Sequence, residues 1–462
     1  MHNARCRTVD FGANAGSPVP HAHCALVIEP LSIDISSPRL PLGRAHLLAG
    51  TALREARRAG LPTDALLSVG SLRRSAPDVG DVSLLAIAER TRIADVLNGF
   101  ASLPFVTGVL AQSAAAITVA TERGAITVHV SPPQQRGAAM LWHTGSRRHN
   151  DQLSSRAARF GLRFSTGELV HHVRGSVETV SEPVVYRHLG LPYIPPELRE
   201  GSGEIEAAER GDLPMLVGDS HIRGDLHMHS TWSDGRDSIA TMVSASQQLG
   251  YEYVAITDHS QRAFSSRKLA LEDVARQREE IVALRGRMPD ITILHGIEVD
   301  ILKDGSLDFD DEVLEGCDII LASLHDHGGQ TPAELTARYL RAIRHPLVNV
   351  ITHPANRSPA MSPGYDIDFD TLFAAAAATG TAMEVDGAPG HLDMDGALAR
   401  RAVQAGVTIT IDSDCHRSEA LGRQMRFGVG TARRGWVEPR HVLNTRGVEQ
   451  VREFVAAKRA RG

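Results

Sequence analysis

The chain reads as an α/β protein in two parts, a C-terminal barrel of seven βα units preceded by a small α+β domain. Three observations carry this reading. After Arg223, short apolar runs alternate with helical stretches; the residues best suited to bind metal sit at the ends of those runs; before residue 190, strand-like runs follow one another with few helices between them. Repeated βα units imply a parallel sheet, and seven of them suggest a closed, slightly irregular relative of the eight-stranded barrel.

Residues 1–37 are rich in Pro, Ser, Ala and His without a sustained period, and are expected to form a flexible leader. His21, His23 and Cys24 fall there, but nothing nearby supplies a fourth ligand. Residues 42–59 have helical apolar spacing and stop at Gly60 and Pro62. Strands are expected at 65–69, 82–87, 105–110, 116–120 and 125–130, with helices around 94–100 and 149–160, which makes a mostly antiparallel sheet. Residues 190–223 are rich in Pro, Gly and charge and read as a connector between a domain at 38–189 and another at 224–462.

In the second domain strands are expected at 225–228, 253–257, 291–299, 318–324, 347–352, 382–385 and 407–411. Helices are expected at 238–248, 271–285, 332–343, 369–378 and 396–405. His227 and His229 are two residues apart, so on a strand end both imidazoles face the same way. Asp234 follows after a turn closed by Gly235. Asp258 and His259 end the second strand, Glu298 the third, His325 the fourth, His353 the fifth, and Asp414 and His416 the seventh. The C-terminal ends of parallel barrel strands meet on one face, so these side chains are expected to converge. His345 precedes its strand and is read as structural, His295 as a core residue, and His327 as facing solvent.

Imidazoles mixed with carboxylates suit Zn²⁺, Mn²⁺ or Fe²⁺ better than Ca²⁺ or Mg²⁺ alone. The set is too large for one tetrahedral site, so two or three divalent metals are expected, with Glu298 bridging. Such a cluster activates water and clamps phosphoryl oxygens, the chemistry of phosphoester hydrolysis.

Composition narrows the partners. The net charge of −6 gives no overall attraction to nucleic acid, and 4% aromatic residues leave few rings for stacking on a single strand. The four cysteines form no C-x-x-C pair, so a reducing cytoplasm is expected. No apolar run is long enough to span a bilayer, so no membrane partner is expected.

Six motifs closely resemble the PHP (polymerase and histidinol phosphatase) family: His227-x-His229, Thr257-Asp258-His259, Gly296-Ile297-Glu298, Ser323-Leu324-His325, Thr352-His353-Pro354 and Asp412-Ser413-Asp414-Cys415-His416. The resemblance implies the distorted (β/α)7 barrel of that family. It also implies one metal on His227, His229, Glu298 and Asp414, a second on Glu298, His325 and His353, and a third on Asp234, His259 and His416. Glu298, His325 and Asp414 are then catalytic candidates, joined by Asp386, which lies where relatives more often have asparagine. Arg357, Arg417, Arg426 and Arg433 are candidates to hold a substrate phosphate.

Upstream, Gly70-Ser71-Leu72-Arg73-Arg74 followed by Val79-Gly80-Asp81-Val82-Ser83-Leu84 resembles the nucleotidyltransferase palm of family X DNA polymerases. A Gly-Ser turn can present N–H groups to a phosphate, and Arg73 and Arg74 add charge. That family holds its metals on three aspartates. Here only Asp81 remains, with Ser83 at the second position and Thr127 where the third is expected. Residues 142–150 resemble the family's nucleotide-contacting segment, but no helix-hairpin-helix counterpart is found before residue 40. Together with the 426–436 stretch, the resemblance to bacterial family X polymerases with a C-terminal PHP domain covers about residues 40–460.

The expected function is a metal-dependent phosphoesterase, a 3′→5′ exonuclease acting on DNA 3′ ends or single strands in repair, with polymerisation lost. The alternatives are a phosphatase on a small phosphomonoester of the histidinol phosphate kind, a palm that only binds nucleotide or DNA ends, and a polymerase that retains activity.

Overall fold

A computed structural model describes residues 39–263 and 265–461. The expected leader, with His21, His23 and Cys24, lies outside the described residues.

The first part is built on a five-stranded sheet ordered Ala65–Ser68, Val82–Ile87, Gly124–Ser131, Ala116–Thr121, Gly108–Gln112. Only Val82–Ile87 and Gly124–Ser131 run parallel; the other pairings are antiparallel, in line with short connections between β-branched runs. Helices Leu42–Arg58 and Ile93–Ala101 share a core with this sheet through Leu48, Ala52, Leu84, Val96, Phe100, Val119 and Val128.

A second core was not distinguished in the sequence. Helices Arg136–Thr144 and Arg147–Arg159 and the antiparallel strands Leu162–Ser165, Glu168–His171 and Gly175–Ser176 gather around Leu141, Leu153, Phe164, Leu169 and Tyr186. That core continues through Leu191, Ile194, Leu198, Ile205 and Leu216. The stretch 190–223 therefore does more than connect. Its apolar residues are spaced too irregularly to show a period, yet they fill this core, and Glu204–Arg210 within it is helical.

The last part is a sheet of seven parallel strands in sequence order: Gly224–Asp225, Tyr253–Ile256, Thr292–Asp300, Ile319–Ser323, Val350–Ile351, Ala382–Asp386 and Ile409–Asp412. A parallel bridge between Met228 and Cys415 joins the first strand to the last, nearly closing the barrel. Two buried carboxylates stitch the same seam, Asp412 accepting from Leu226 N at 2.9 Å and Asp225 from Ser413 N at 3.2 Å. Helices between the strands are capped by side chains, as at Thr331, whose hydroxyl accepts from Glu334 N while the Glu334 carboxylate accepts from Thr331 N. Leu226, Tyr253, Leu294, Leu321 and Val350 cluster with Val451 and Val455 of the C-terminal helix Val448–Arg459. That helix anchors at the strand beginnings, Arg459 donating to Cys317 O and Lys458 to Ile343 O, which leaves the opposite, C-terminal face for the site.

Candidate metal centre and active site

The residues that end the barrel strands converge. His227 and His229, two apart on one strand end, bring their Nε2 atoms to 3.2 Å, and Asp414 Oδ1 lies 3.1 Å from His229 Nε2. Glu298 stands at the centre of the group. Its Oε1 is 3.0 Å from His353 Nε2 and 3.5 Å from His325 Nε2, while its Oε2 is 2.6 Å from His259 Nδ1 and 3.5 Å from His227 Nε2. The other nitrogen of His259 faces Asp234 at 3.6 Å, and Asp234 also lies 3.1 Å from His416 Nε2. The ring of His229 is stacked between those of His259 and His416, with centroids 4.2 and 4.3 Å away.

These side chains fit divalent cations on their own geometry. Two imidazole nitrogens 3.2 Å apart repel unless a proton or a cation lies between them. His259 Nδ1 and Glu298 Oε2 are close but lack hydrogen-bond geometry, and both are buried without a partner, as are His229 Nδ1 and Asp234 Oδ1. Orphaned buried polar atoms of this kind are rare in native proteins and call for a ligand or ion. Among the strand-end residues, three groups have donor atoms close enough for a single ion: His227, His229 and Asp414; His259, Glu298 and His325; and His229, Asp234, His259 and His416.

The electrostatics agree. Burial disfavours a charged Glu298, yet His259, His227 and His325 outweigh it and hold its carboxyl well below the usual range. Burial likewise opposes charge on Asp414, but His227, His229 and His416 hold it well below its ordinary value. Burial and the neighbouring His259 and His416 push His229 down to about 3, which leaves it neutral and able to donate a lone pair. Two of the expected ligands also sit in strained backbone, His353 at φ 25° and Asp414 at φ 46°, a cost of about 1–3 kcal/mol each of the kind found at functional sites.

A second layer, missed in the sequence, orients this set. Glu384 accepts from His227 Nδ1 at 2.7 Å and from the His353 backbone N–H at 2.8 Å, and Asp300 lies 2.5 Å from His325 Nδ1. A carboxylate on the far nitrogen fixes the tautomer and turns Nε2 toward a metal. Glu384 lies two residues before Asp386 on the sixth strand, so period-two alternation puts both on one face. That was the available signal.

Asp258, expected at the converging end, belongs to the supporting layer instead. Its carboxylate accepts from Ser230, Ser233 and Gln277, so no oxygen is free to reach a metal. His295 is buried and paired with Gln277, His345 pairs with Asp311 at 3.1 Å, and His327 is exposed. Asp386 is fully buried, its Oδ1 bonded to Ala388 N and its Oδ2 unpartnered.

The arginine candidates divide. Arg357 is close to the ligand loops and paired with Asp395 at 3.0 Å, with its Nε unpartnered. Arg417 is exposed, next in the chain to His416, and faces Glu419 at 3.8 Å. Arg426 is exposed and turned back on Gly422 O and toward His46, away from the ligands. Arg433 is not free for substrate: it donates to both oxygens of Glu197 and to Val217 O, tying the barrel to the second core.

The palm-like residues are similarly engaged. Arg73 makes a two-pronged pair with Glu182 at 2.7 Å, and Arg199 shares that carboxylate. Arg74 is bonded to Glu200, which Arg434 also holds. Their guanidinium groups are thus spent within the protein rather than offered to a nucleotide. Gly70, at φ 67°, and Ser71 begin a four-residue helix. Asp81 is exposed and accepts from Ser83 Oγ at 2.9 Å; Ser83 pairs across the sheet with Thr127. The place of three acids therefore holds one carboxylate and two hydroxyls.

The PHP domain model matches residues 225–353, and the DNA polymerase beta thumb model matches residues 139–200, which include most of the second core. Fold and site together define a metal-dependent phosphoesterase domain of the PHP type. The chain is 36% identical over 390 residues to the DNA polymerase/3′-5′ exonuclease PolX of Bacillus subtilis, spanning 84% of this chain and 68% of that protein. It is 26% identical to a probable phosphatase of Syntrophotalea carbinolica over 50% of this chain and 95% of that protein. It is also 31% identical to a probable phosphatase of a Shewanella species over 43% of this chain and 78% of that protein. The chain belongs to the bacterial family X DNA polymerases that carry a PHP domain.

Metals bound here would supply an activated water and positive charge for phosphoryl oxygens. The chain's own part is to aim the imidazole nitrogens: Glu384 holds the His227 Nδ1 proton and Asp300 that of His325. Asp258 locks the Ser230–Ser233 turn that leads to Asp234. Among the described residues no helix is long and apolar enough to cross a membrane.

Proposed function

We propose that the protein hydrolyses phosphodiester bonds at DNA 3′ ends, acting as a 3′→5′ exonuclease on single strands, with Zn²⁺ or Mn²⁺ on the strand-end ligands. The observation that carries this reading is the convergence of His227, His229, Asp234, His259, Glu298, His325, His353, Asp414 and His416 on one barrel face, in a chain whose similarity to an exonuclease-bearing polymerase runs through both parts. Three metals arranged as the family resemblance implies would use the whole set, Glu298 bridging. Arg357 and Arg417, near the rim, are the remaining candidates for the phosphate of the terminal nucleotide.

The palm no longer polymerises in this reading. Two-metal phosphoryl transfer needs carboxylates to hold both ions, and Asp81 stands alone beside Ser83 and Thr127. The palm and thumb parts then serve as a frame that presents DNA to the barrel. The domain limits 38–189 and 224–462 remain our division, with residues 190–223 built into the thumb-like core.

A second reading is favoured by the probable phosphatases, which are matched over half of this chain or less, a share that the barrel alone could fill. The two are separated by incubating the metal-loaded protein with a single strand labelled at its 3′ end, the same strand labelled at its 5′ end, and a free phosphomonoester. Early release of labelled mononucleotide from the 3′ label alone supports the exonuclease. Fast turnover of the phosphomonoester with DNA left intact moves the assignment to a small-molecule phosphatase.

A further inference from the structure

Beside the strand-end residues stands a group of which the family's implied metal set uses Asp414 alone. Asp386 ends the sixth strand, His391 lies in the turn that follows, and Asp414 belongs to the seventh-strand end; one donor atom of each lies within 4.8 Å of the others. We infer that Asp386, His391 and Asp414 form an additional divalent-cation site adjoining the main centre. This rests on the reading of the main centre as a metal site, because Asp414 serves both.

Two buried polar atoms in this group lack partners. Asp386 is fully buried, and its Oδ1 already accepts from Ala388 N, but Oδ2 has no partner. His391 Nδ1 is likewise out of contact with solvent and without a partner. Were the pair merely structural, the imidazole and the carboxylate would share a hydrogen bond; they do not. A buried polar atom left without a partner is destabilising unless something fills the space. Two of the three residues thus carry a buried polar atom left without a partner, in a group whose donor atoms lie within 4.8 Å of one another.

The spacing also suits one ion. Ligand atoms about 2.1 Å from one ion are at most about 4.2 Å apart. A group already within 4.8 Å closes on an ion with side-chain shifts of a few tenths of an ångström. The turn that carries the group is rigid. Asp386 N donates to Asp393 O at 2.6 Å, Gly387 N to Asp412 O at 2.8 Å and His391 N to Ala388 O at 3.0 Å. A Cβ at Gly387 would stand 2.1 Å from Gln424 O, so the turn is pressed against helix Leu421–Arg434. The His391 ring is stacked on His353, centroids 5.3 Å apart, which fixes its plane relative to the main ligands.

Charge points the same way. Asp414 and Glu384 are the carboxylates that press on Asp386, and a cation among them offsets their repulsion. Two carboxylates with one imidazole form a set suited to Mn²⁺, Fe²⁺ or Zn²⁺, and three protein ligands leave coordination positions open.

The test is a titration of Mn²⁺ into the metal-stripped full chain, reading free Mn²⁺ by electron paramagnetic resonance, for wild type, His391→Ala, His391→Gln and Asp386→Asn. Thermal unfolding of each confirms that it folds; the Gln variant carries the test if the Ala variant does not. The inference expects each variant to bind one equivalent fewer than wild type, with the remaining equivalents held within about threefold of their wild-type affinities. Equal stoichiometry and affinity in wild type and the His391 variants overturns it while leaving the main centre standing. Loss of every equivalent in a folded His391 variant also overturns it, since His391 would then frame the main centre. A wild type that binds no Mn²⁺ and no Zn²⁺ overturns both this site and the proposed function.

Discussion

Replacing Glu384 by glutamine tests how the ligand set is held. Both carboxylate oxygens are in use, one 2.7 Å from His227 Nδ1 and the other 2.8 Å from the His353 N–H. A glutamine has one acceptor and one donor in the same two places, so it satisfies only one of these neighbours. If its oxygen stays on His353 N–H, its NH₂ faces His227 Nδ1 and forces the ring into the opposite tautomer, with the proton on Nε2 where a metal should bind. If its oxygen stays on His227, the His353 N–H faces a donor and is left unpaired in a strained turn at φ 25°. An unsatisfied buried donor costs about 1–3 kcal/mol. Loss of an outer carboxylate on a ligating histidine typically weakens metal binding by about 10–100-fold, or roughly 1.4–2.8 kcal/mol. The two routes agree in size. Competition against a chelator of known affinity should therefore show Glu384→Gln binding metal at least about tenfold more weakly than wild type. Binding within twofold of wild type in a folded Glu384→Gln would refute the claim that this carboxylate sets the His227 tautomer.

Three other outcomes follow from the same structure. In the metal-free protein, burial opposes charge on His325 and His416, but Glu298 and Asp300, and Asp234 and Asp414, raise both to about 9 from the usual 6.5. Their stabilising contribution is thus complete below pH 6.5 and is lost as pH rises through about 9, which thermal melts of stripped protein across this window should show. Metal must displace those protons, so metal affinity should rise with pH up to that value; a flat profile would remove both histidines from the ligand set. Glu182→Ala strands the Arg73 and Arg199 guanidiniums in the interior and should cost about 3–5 kcal/mol in denaturant unfolding. Despite burial, those arginines hold Glu182 at about 2, so its contribution is present above the ordinary 4.5 and lost only as pH falls through about 2. Asp81→Ala should leave nucleotide release from a 3′-labelled strand unchanged, and neither protein should extend a primed template; extension by wild type that the variant loses would restore the palm as a polymerase.

The barrel was legible because its signals are local and repeated. Each βα unit shows its own alternation, and each strand ends on a residue chosen for chemistry, so His227, Glu298 and His353 could be placed by counting along the chain. The regular lengths were not: regular pairing in two strands expected to be longer is confined to Gly224–Asp225 and Val350–Ile351, although single backbone bonds such as Thr257 N to Met228 O and Thr352 N to Ala322 O continue beyond them. Asp258 was misplaced as well. It neighbours His259 in sequence, but successive strand residues point to opposite sides. Glu384, Asp300 and His391 were missed because their roles come from partners 157, 25 and 38 residues away. Arg73, Arg74 and Arg433 carry charge that suits a phosphate, and nothing along the chain reveals that Glu182, Glu200 and Glu197 meet them in the fold. The thumb-like core was likewise hidden by the Pro and Gly content of the segment that completes it.

The most direct test of the central claim pairs two readings on one sample: metal content of the purified protein by elemental analysis, and mononucleotide release from a 3′-labelled single strand, for wild type and His229→Ala. The account predicts two or more divalent metals in wild type, release that stops on chelation and returns with Mn²⁺ or Zn²⁺, and loss of both metal and release in the variant. Release from the 3′ end that persists in metal-stripped protein or in His229→Ala would contradict it.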